Sequence, residues 1–232
     1  MKNKLYIFGC SYSSCFEMAG INKEYHIYKN GWPKSWSEIL SEKLNTTLVN
    51  KAKGGFGNDA IFDEFCIQSD KIKKNDIVII GWSYLNRFRV PTFLNEVTDS
   101  SELSTIWDNI SIHSTTPNFS KKTIEEISLS RNSILYEIEI HNRENLIREY
   151  SKSKGFKVYF WNASHPFENE NGYLLQNIER KTPHDTFIQF VLRLGGSRIM
   201  EETNGMINDN HLGEMGHVIQ ANLFYNEIKL NL

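Results

Sequence analysis

Short apolar runs alternate with longer stretches whose apolar residues recur at helical spacing. Four runs read as strands: residues 5–8, 47–49, 77–80 and 156–161. Ile77-Val78-Ile79-Ile80 is continuous rather than alternating, as suits a strand covered on both faces. Between the strands, Trp36, Ile39, Leu40 and Leu44 share one helical face, and Ser35 with Glu38 forms a capping-box pattern. Asn58 is placed to cap a second helix carrying Ile61 and Phe65. A long polar helix is predicted over 122–154, with room for a break, and Gly155 stands just past its end. Phe187, Phe190, Val191 and Leu194 define a further helix stopped by Gly195-Gly196, and Met215, Val218, Ile219 and Leu223 define the last.

Strands alternating with helices predict an α/β fold: a three-layer α/β/α sandwich on a mainly parallel sheet of about five strands, flavodoxin-like in plan. The length of 232 residues fits a single domain, 1–232, with no internal repeat. Two stretches carry no clear pattern, 89–120 and 162–183, and read as loop insertions. Long loops at strand ends are where such sheets build pockets.

Composition narrows the function. Apolar residues make up 40% and charged residues 23%, enough for a packed core. The net charge of −2 gives no electrostatic reason to expect nucleic acid or an acidic membrane as partner. No apolar run approaches the roughly 20 residues of a membrane span. Met1-Lys2-Asn3-Lys4 followed by an apolar stretch mimics a signal peptide, but the stretch stops at Gly9 and reads as a first buried strand. Cys10, Cys15 and Cys66, an odd and small set, fit a reducing compartment, so a cytoplasmic location is expected.

Four segments could carry chemistry. Gly9-Cys10-Ser11-Tyr12-Ser13-Ser14 follows the first strand and offers serines where α/β sheets bind ligands. Asn50 to Asn58, with Gly54, Gly55 and Gly57, follows the second strand and opens a helix, so its backbone N–H groups can face a ligand. It is neither a Walker loop nor a G-x-G-x-x-G, so no nucleotide or other cofactor is implied. Gly81-Trp82-Ser83-Tyr84-Leu85-Asn86-Arg87 follows the third strand. Asn208-Asp209-Asn210-His211 precedes the last helix, and an Asp two residues from a His can fold back to accept the imidazole N–H. A metal set of Asp209, His211 and His217 is the weaker reading, since no zinc-type motif is present and no metal is expected. Taken singly, each segment is also what an ordinary polar turn looks like.

Together, in this order, they resemble the SGNH (GDSL-type) hydrolase superfamily, from about Lys4 to Ile228. The resemblance implies Ser11 as nucleophile, His211 as base and Asp209 as the acid that orients it. It implies an oxyanion hole from the N–H groups of Ser11 and Gly55, with Ser83 standing where the family carries an asparagine and Asn86 one helical turn later. The family's usual D-x-x-H spacing would select Asn208; Asp209 is preferred because a carboxylate stabilises imidazolium better than an amide. The implied activity is a serine esterase for small acyl esters, an O-acetylated carbohydrate being the substrate expected. The alternatives are an O-acyltransferase on the same residues and a non-catalytic carbohydrate-binding or assembly protein. Tyr12, Trp82, Arg87 and His165 are candidate substrate contacts, Phe56 and Tyr84 interleave with them, and Trp161 reads as core rather than pocket.

Overall fold

In a computed structural model the chain is described over residues 2–84, 87–91, 107–110, 120, 122, 126, 133–162, 174 and 186–230. Four strands, β1 (Lys4–Phe8), β2 (Thr47–Asn50), β3 (Ile77–Trp82) and β6 (Lys157–Asn162), form one parallel sheet in the order β2-β1-β3-β6. The sheet therefore has one parallel strand fewer than expected among the described residues. The stretch read as a patternless loop instead contains two short strands, β4 (Phe88–Pro91) and β5 (Trp107–Ile110), paired antiparallel away from the main sheet. Four-residue strands give too little periodicity to stand out in a Ser/Thr/Asn-rich sequence.

The helices are α1 (Lys23–Tyr28), α2 (Trp36–Lys43), α3 (Asn58–Gln68), α4 (Ser133–Lys154), α5 (Phe187–Arg193), α6 (Ile199–Glu202) and α7 (Glu214–Leu230). Alternation along each strand sorts the core into two layers. Leu5, Ile7, Ile79 and Trp161 pack with Trp36 and Leu40 of α2, Phe187 of α5 and Phe224 of α7. Tyr6, Phe8, Ile80 and Phe160 pack with Ile61 and Phe65 of α3 and Ile140 and Ile147 of α4. This is the three-layer α/β/α sandwich. A third cluster, Phe16, Ile21, Tyr25, Ile199 and Ile207, ties α1 to α6.

Local rules explain most boundaries. Ser35 and Glu38 close the capping box on α2, with Ser35 N–H donating to Glu38 Oε2 at 2.7 Å. Gly155 ends α4 with φ of +75°, a left-handed conformation that favours glycine. Two expectations need correction. Asn58 is the first residue of α3 and Gly57 its N-cap. In α7 the buried face is His217, Gln220, Ala221, Phe224 and Ile228, whereas Met215 is half exposed. The apolar periodicity of the last helix misled because two of its core positions are polar.

The topology fixes where a ligand can sit. From β1 the chain moves to β2 through α2 on one face, then crosses back to β3 through α3 on the other. The loops leaving β1 and β3 therefore diverge at their carboxyl ends, and that crevice is the switch point where open α/β sheets bind ligands.

Candidate active site

Ser11 leaves β1 at this switch point. The turn is held by the Cys10 carbonyl, which accepts from the N–H groups of Ser13 and Ser14 at 2.9 and 3.1 Å. Ser11 is 6% exposed, and neither its hydroxyl nor its N–H has a hydrogen-bond partner among the described residues. Ser13 and Ser14 are fully buried, and Ser14 Oγ is spent on the carbonyls of Ser11 and Cys15. Gly9 has no side chain because a Cβ there would fall on the side chain of Ser13.

The glycine loop is stitched to the same exit. Lys51 N–H donates to the Ile7 carbonyl at 2.8 Å, Lys53 N–H to Gly9 at 3.2 Å and Gly54 N–H to Met18 at 2.9 Å. Asn50 Nδ2 donates to the Ser13 carbonyl at 3.0 Å, binding the two loops together. Gly55 then turns with φ of +83°, nothing lies within 4 Å of where its Cβ would be, and its N–H is unpartnered among the described residues.

The Asp209–His211 stretch arrives between α6 and α7. Asp209 Oδ1 lies 2.7 Å from His211 Nδ1 and also accepts the His211 backbone N–H at 2.9 Å. The backbone N–H of Asn22 reaches Asp209 Oδ2 at 3.3 Å. Burial acts to raise the Asp209 carboxyl, but the hydrogen bonds from His211 outweigh it and hold it below the usual carboxylate range. With Nδ1–H given to Asp209, His211 Nε2 is left as an acceptor, and it has no partner among the described residues. The imidazole is partly open to solvent, and its ring centre lies 5.4 Å from that of Tyr12, the residue after Ser11. Asn208, the D-x-x-H position, is exposed.

His217 is a different kind of histidine. It is buried against Phe16, its Nδ1 accepts the Trp36 N–H at 2.9 Å at the start of α2, and its other nitrogen bonds the Leu212 carbonyl. Both nitrogens are used, and burial pushes its pKa down to about 3, so it stays neutral. Among the described residues, no group of His, Cys, Asp and Glu is placed to hold a metal ion.

Ser83 is fully buried. Its N–H donates to Asn58 Oδ1 at 2.7 Å, its carbonyl accepts from Asn58 Nδ2 at 3.3 Å, and its Oγ accepts from Arg87 Nη1 at 3.1 Å. Reading the sequence took Asn58 only as a helix cap and the end of the glycine loop, and missed this grip on Ser83. Asn58 opens α3 directly after the glycine loop, and its amide ties that loop to the end of β3. Tyr12 and Tyr84 meet hydroxyl to hydroxyl at 3.3 Å, and burial with this contact raises the Tyr12 phenol above its ordinary value. Trp82 does not face the crevice: its indole is buried in the α3/α4 layer, stacked on Phe160, with Nε1 donating to Glu144 at 2.6 Å. Side chains alternate along β3, so a residue next to Ser83 is turned to the other face. Trp161 is also core. Asn86 and His165 lie outside the described residues, as does most of 162–183.

All three cysteines are free thiols, and no described helix is long and apolar enough to cross a membrane. No protein-family model matches the chain, and no curated protein does. Among solved structures, the chain is similar to the YxiM protein of Bacillus subtilis, with a TM-score of 0.43 and 13% identity over 100% of this chain and 57% of that one. It is also similar to an acetyl xylan esterase, with a TM-score of 0.37 and 10% identity over 97% of this chain and 99% of the other. The chain thus spans 57% of the length of the Bacillus subtilis protein.

Proposed function

We propose that this protein is a serine esterase acting on small acyl esters, with Ser11 as nucleophile, His211 as general base and Asp209 as the group that orients it. The observation that carries the reading is the Asp209–His211 pair. Its 2.7 Å contact supports one imidazole nitrogen as donor to the carboxylate and the other as acceptor, and the His211 ring centre lies 5.4 Å from that of Tyr12, the residue after Ser11.

In this mechanism His211 Nε2 takes the Ser11 hydroxyl proton as Oγ attacks the acyl carbon. The negative charge that develops on the carbonyl oxygen is received by the N–H groups of Ser11 and Gly55, both without acceptors among the described residues, and by the Ser83 hydroxyl. The tetrahedral intermediate collapses, the alcohol leaves with the proton from His211, and the acyl group stays on Ser11. Water, deprotonated by His211, then attacks the acyl-enzyme, releases the carboxylic acid and restores Ser11. An alcohol in place of that water would make the same site an O-acyltransferase. The paired Tyr12 and Tyr84 suit a carbohydrate face, so an O-acetylated carbohydrate is the proposed substrate.

Hydrolysis of p-nitrophenyl acetate by the wild type, Ser11→Ala and His211→Ala tests the scheme. Both variants are expected to fall to the background rate. Full turnover by Ser11→Ala would remove it.

A further inference from the structure

Ser83 is fully buried at the end of β3, and both its backbone and its hydroxyl are hydrogen-bonded. Asn58 grips the Ser83 backbone on both sides, donating at 3.3 Å and accepting at 2.7 Å. Arg87 reaches back four residues to donate from Nη1 to Ser83 Oγ at 3.1 Å. Arg87 is itself braced. Its guanidinium lies over the Tyr84 ring at 5.2 Å, its N–H donates to the Tyr84 carbonyl at 3.1 Å, and its carbonyl accepts from the Tyr136 hydroxyl at 3.3 Å. The α3 N-cap is a glycine, and a Cβ at Gly57 would come within 3.0 Å of the Arg87 carbonyl.

A serine hydroxyl has one hydrogen and two lone pairs. Guanidinium only donates, so the bond from Arg87 occupies a lone pair of Ser83 and leaves its single hydrogen to be given elsewhere. A hydroxyl that accepts from a cation is polarised into a stronger donor. We propose that Arg87 is a positioning residue for Ser83: it sets the hydroxyl rotor and places positive charge behind the oxyanion donor. The serine–arginine couple would thereby do the work of a longer amide. This rests on the esterase reading of Ser11 and His211.

The test is a double-mutant cycle on p-nitrophenyl acetate, an ester with no net charge for Arg87 to pair with. Ser83→Ala and Arg87→Met are each expected to lower kcat by about 10- to 100-fold with KM nearly unchanged, because the lost interaction forms in the transition state. The double variant should be no slower than the slower single if Arg87 acts on the reaction through Ser83 and not through its longer 3.5 Å bond to the Phe56 carbonyl. Arg87→Lys should recover part of kcat by keeping the charge, and it replaces Arg87→Met in the cycle if that variant does not fold. Multiplying losses in the double variant, an unchanged kcat in Arg87→Met, or a change confined to KM would each overturn the inference while leaving Ser11 as nucleophile. A Ser11→Ala variant with full turnover would remove the esterase reading and this inference with it.

Discussion

At the scale of the residue, the site divides its two histidines by environment. His211 is partly open and has one nitrogen committed to Asp209; His217 is sealed in the core with both nitrogens committed. Only the first has a free lone pair to act as a base. Asp209→Asn would let the amide present a donor to Nδ1 and favour the wrong tautomer, so kcat is expected to fall by about 10⁴-fold. Asn208→Ala, at an exposed position, should leave kcat within about twofold, well inside the usual reach of a surface substitution. Steady-state kinetics of the two variants check this, and the opposite ranking would return the role to Asn208. The contact between Asp209 and His211 was legible in the sequence because it spans two residues and needs only a local turn. The grip of Asn58 on Ser83 was not, because it joins residues 25 apart that only the sheet brings together. Trp82 was misjudged for a related reason: its neighbours mark the end of a strand, but the side to which it points depends on the register of β3.

At the scale of the element, the strand pattern was legible because buried parallel strands are apolar on both faces, and each of the four runs appears in the sheet. Helix faces were less so. α7 buries His217 and Gln220 while Met215 stays half exposed, so its face follows what α2 and the sheet offer, not its own apolar spacing. The end of β3 is closely packed. A Cβ on Gly81 would collide with Ser13 Oγ and Trp161 Nε1, both buried. Gly81→Ala is therefore expected to destabilise the fold by about 1–3 kcal/mol through overpacking. Chemical denaturation measures this directly, and a neutral result would mean that Ser13 and Trp161 can move aside freely.

At the scale of the molecule, the order β2-β1-β3-β6 places Ser11, Gly55 and Ser83 on three loops at one edge, and the loop before α7 brings His211 to the same edge. That last loop is anchored by charge. Glu202 accepts from Tyr25, Lys29, Ser197 and the Met215 N–H; burial acts to raise its carboxyl, but these bonds prevail and lower its pKa to about 2. Both it and His217 have folded pKa values below their ordinary ones, so the unfolded chain binds more protons as the pH falls. The stability that His217 contributes is full above its ordinary 6.5 and is lost as the pH drops toward 3. That from Glu202 is full above its ordinary 4.5 and is lost toward 2. Melting temperature should thus decline steadily below about pH 6.5, with His217→Gln removing the upper part of that decline; a flat profile between pH 6.5 and 4.5 would contradict a buried neutral His217. The esterase reading itself is tested most directly by intact-protein mass spectrometry after exposure to a fluorophosphonate, followed by peptide mapping. One adduct on Ser11, absent in Ser11→Ala and strongly slowed in His211→Ala, is the expected result. No adduct, or an adduct on another serine that persists in Ser11→Ala, would contradict the account.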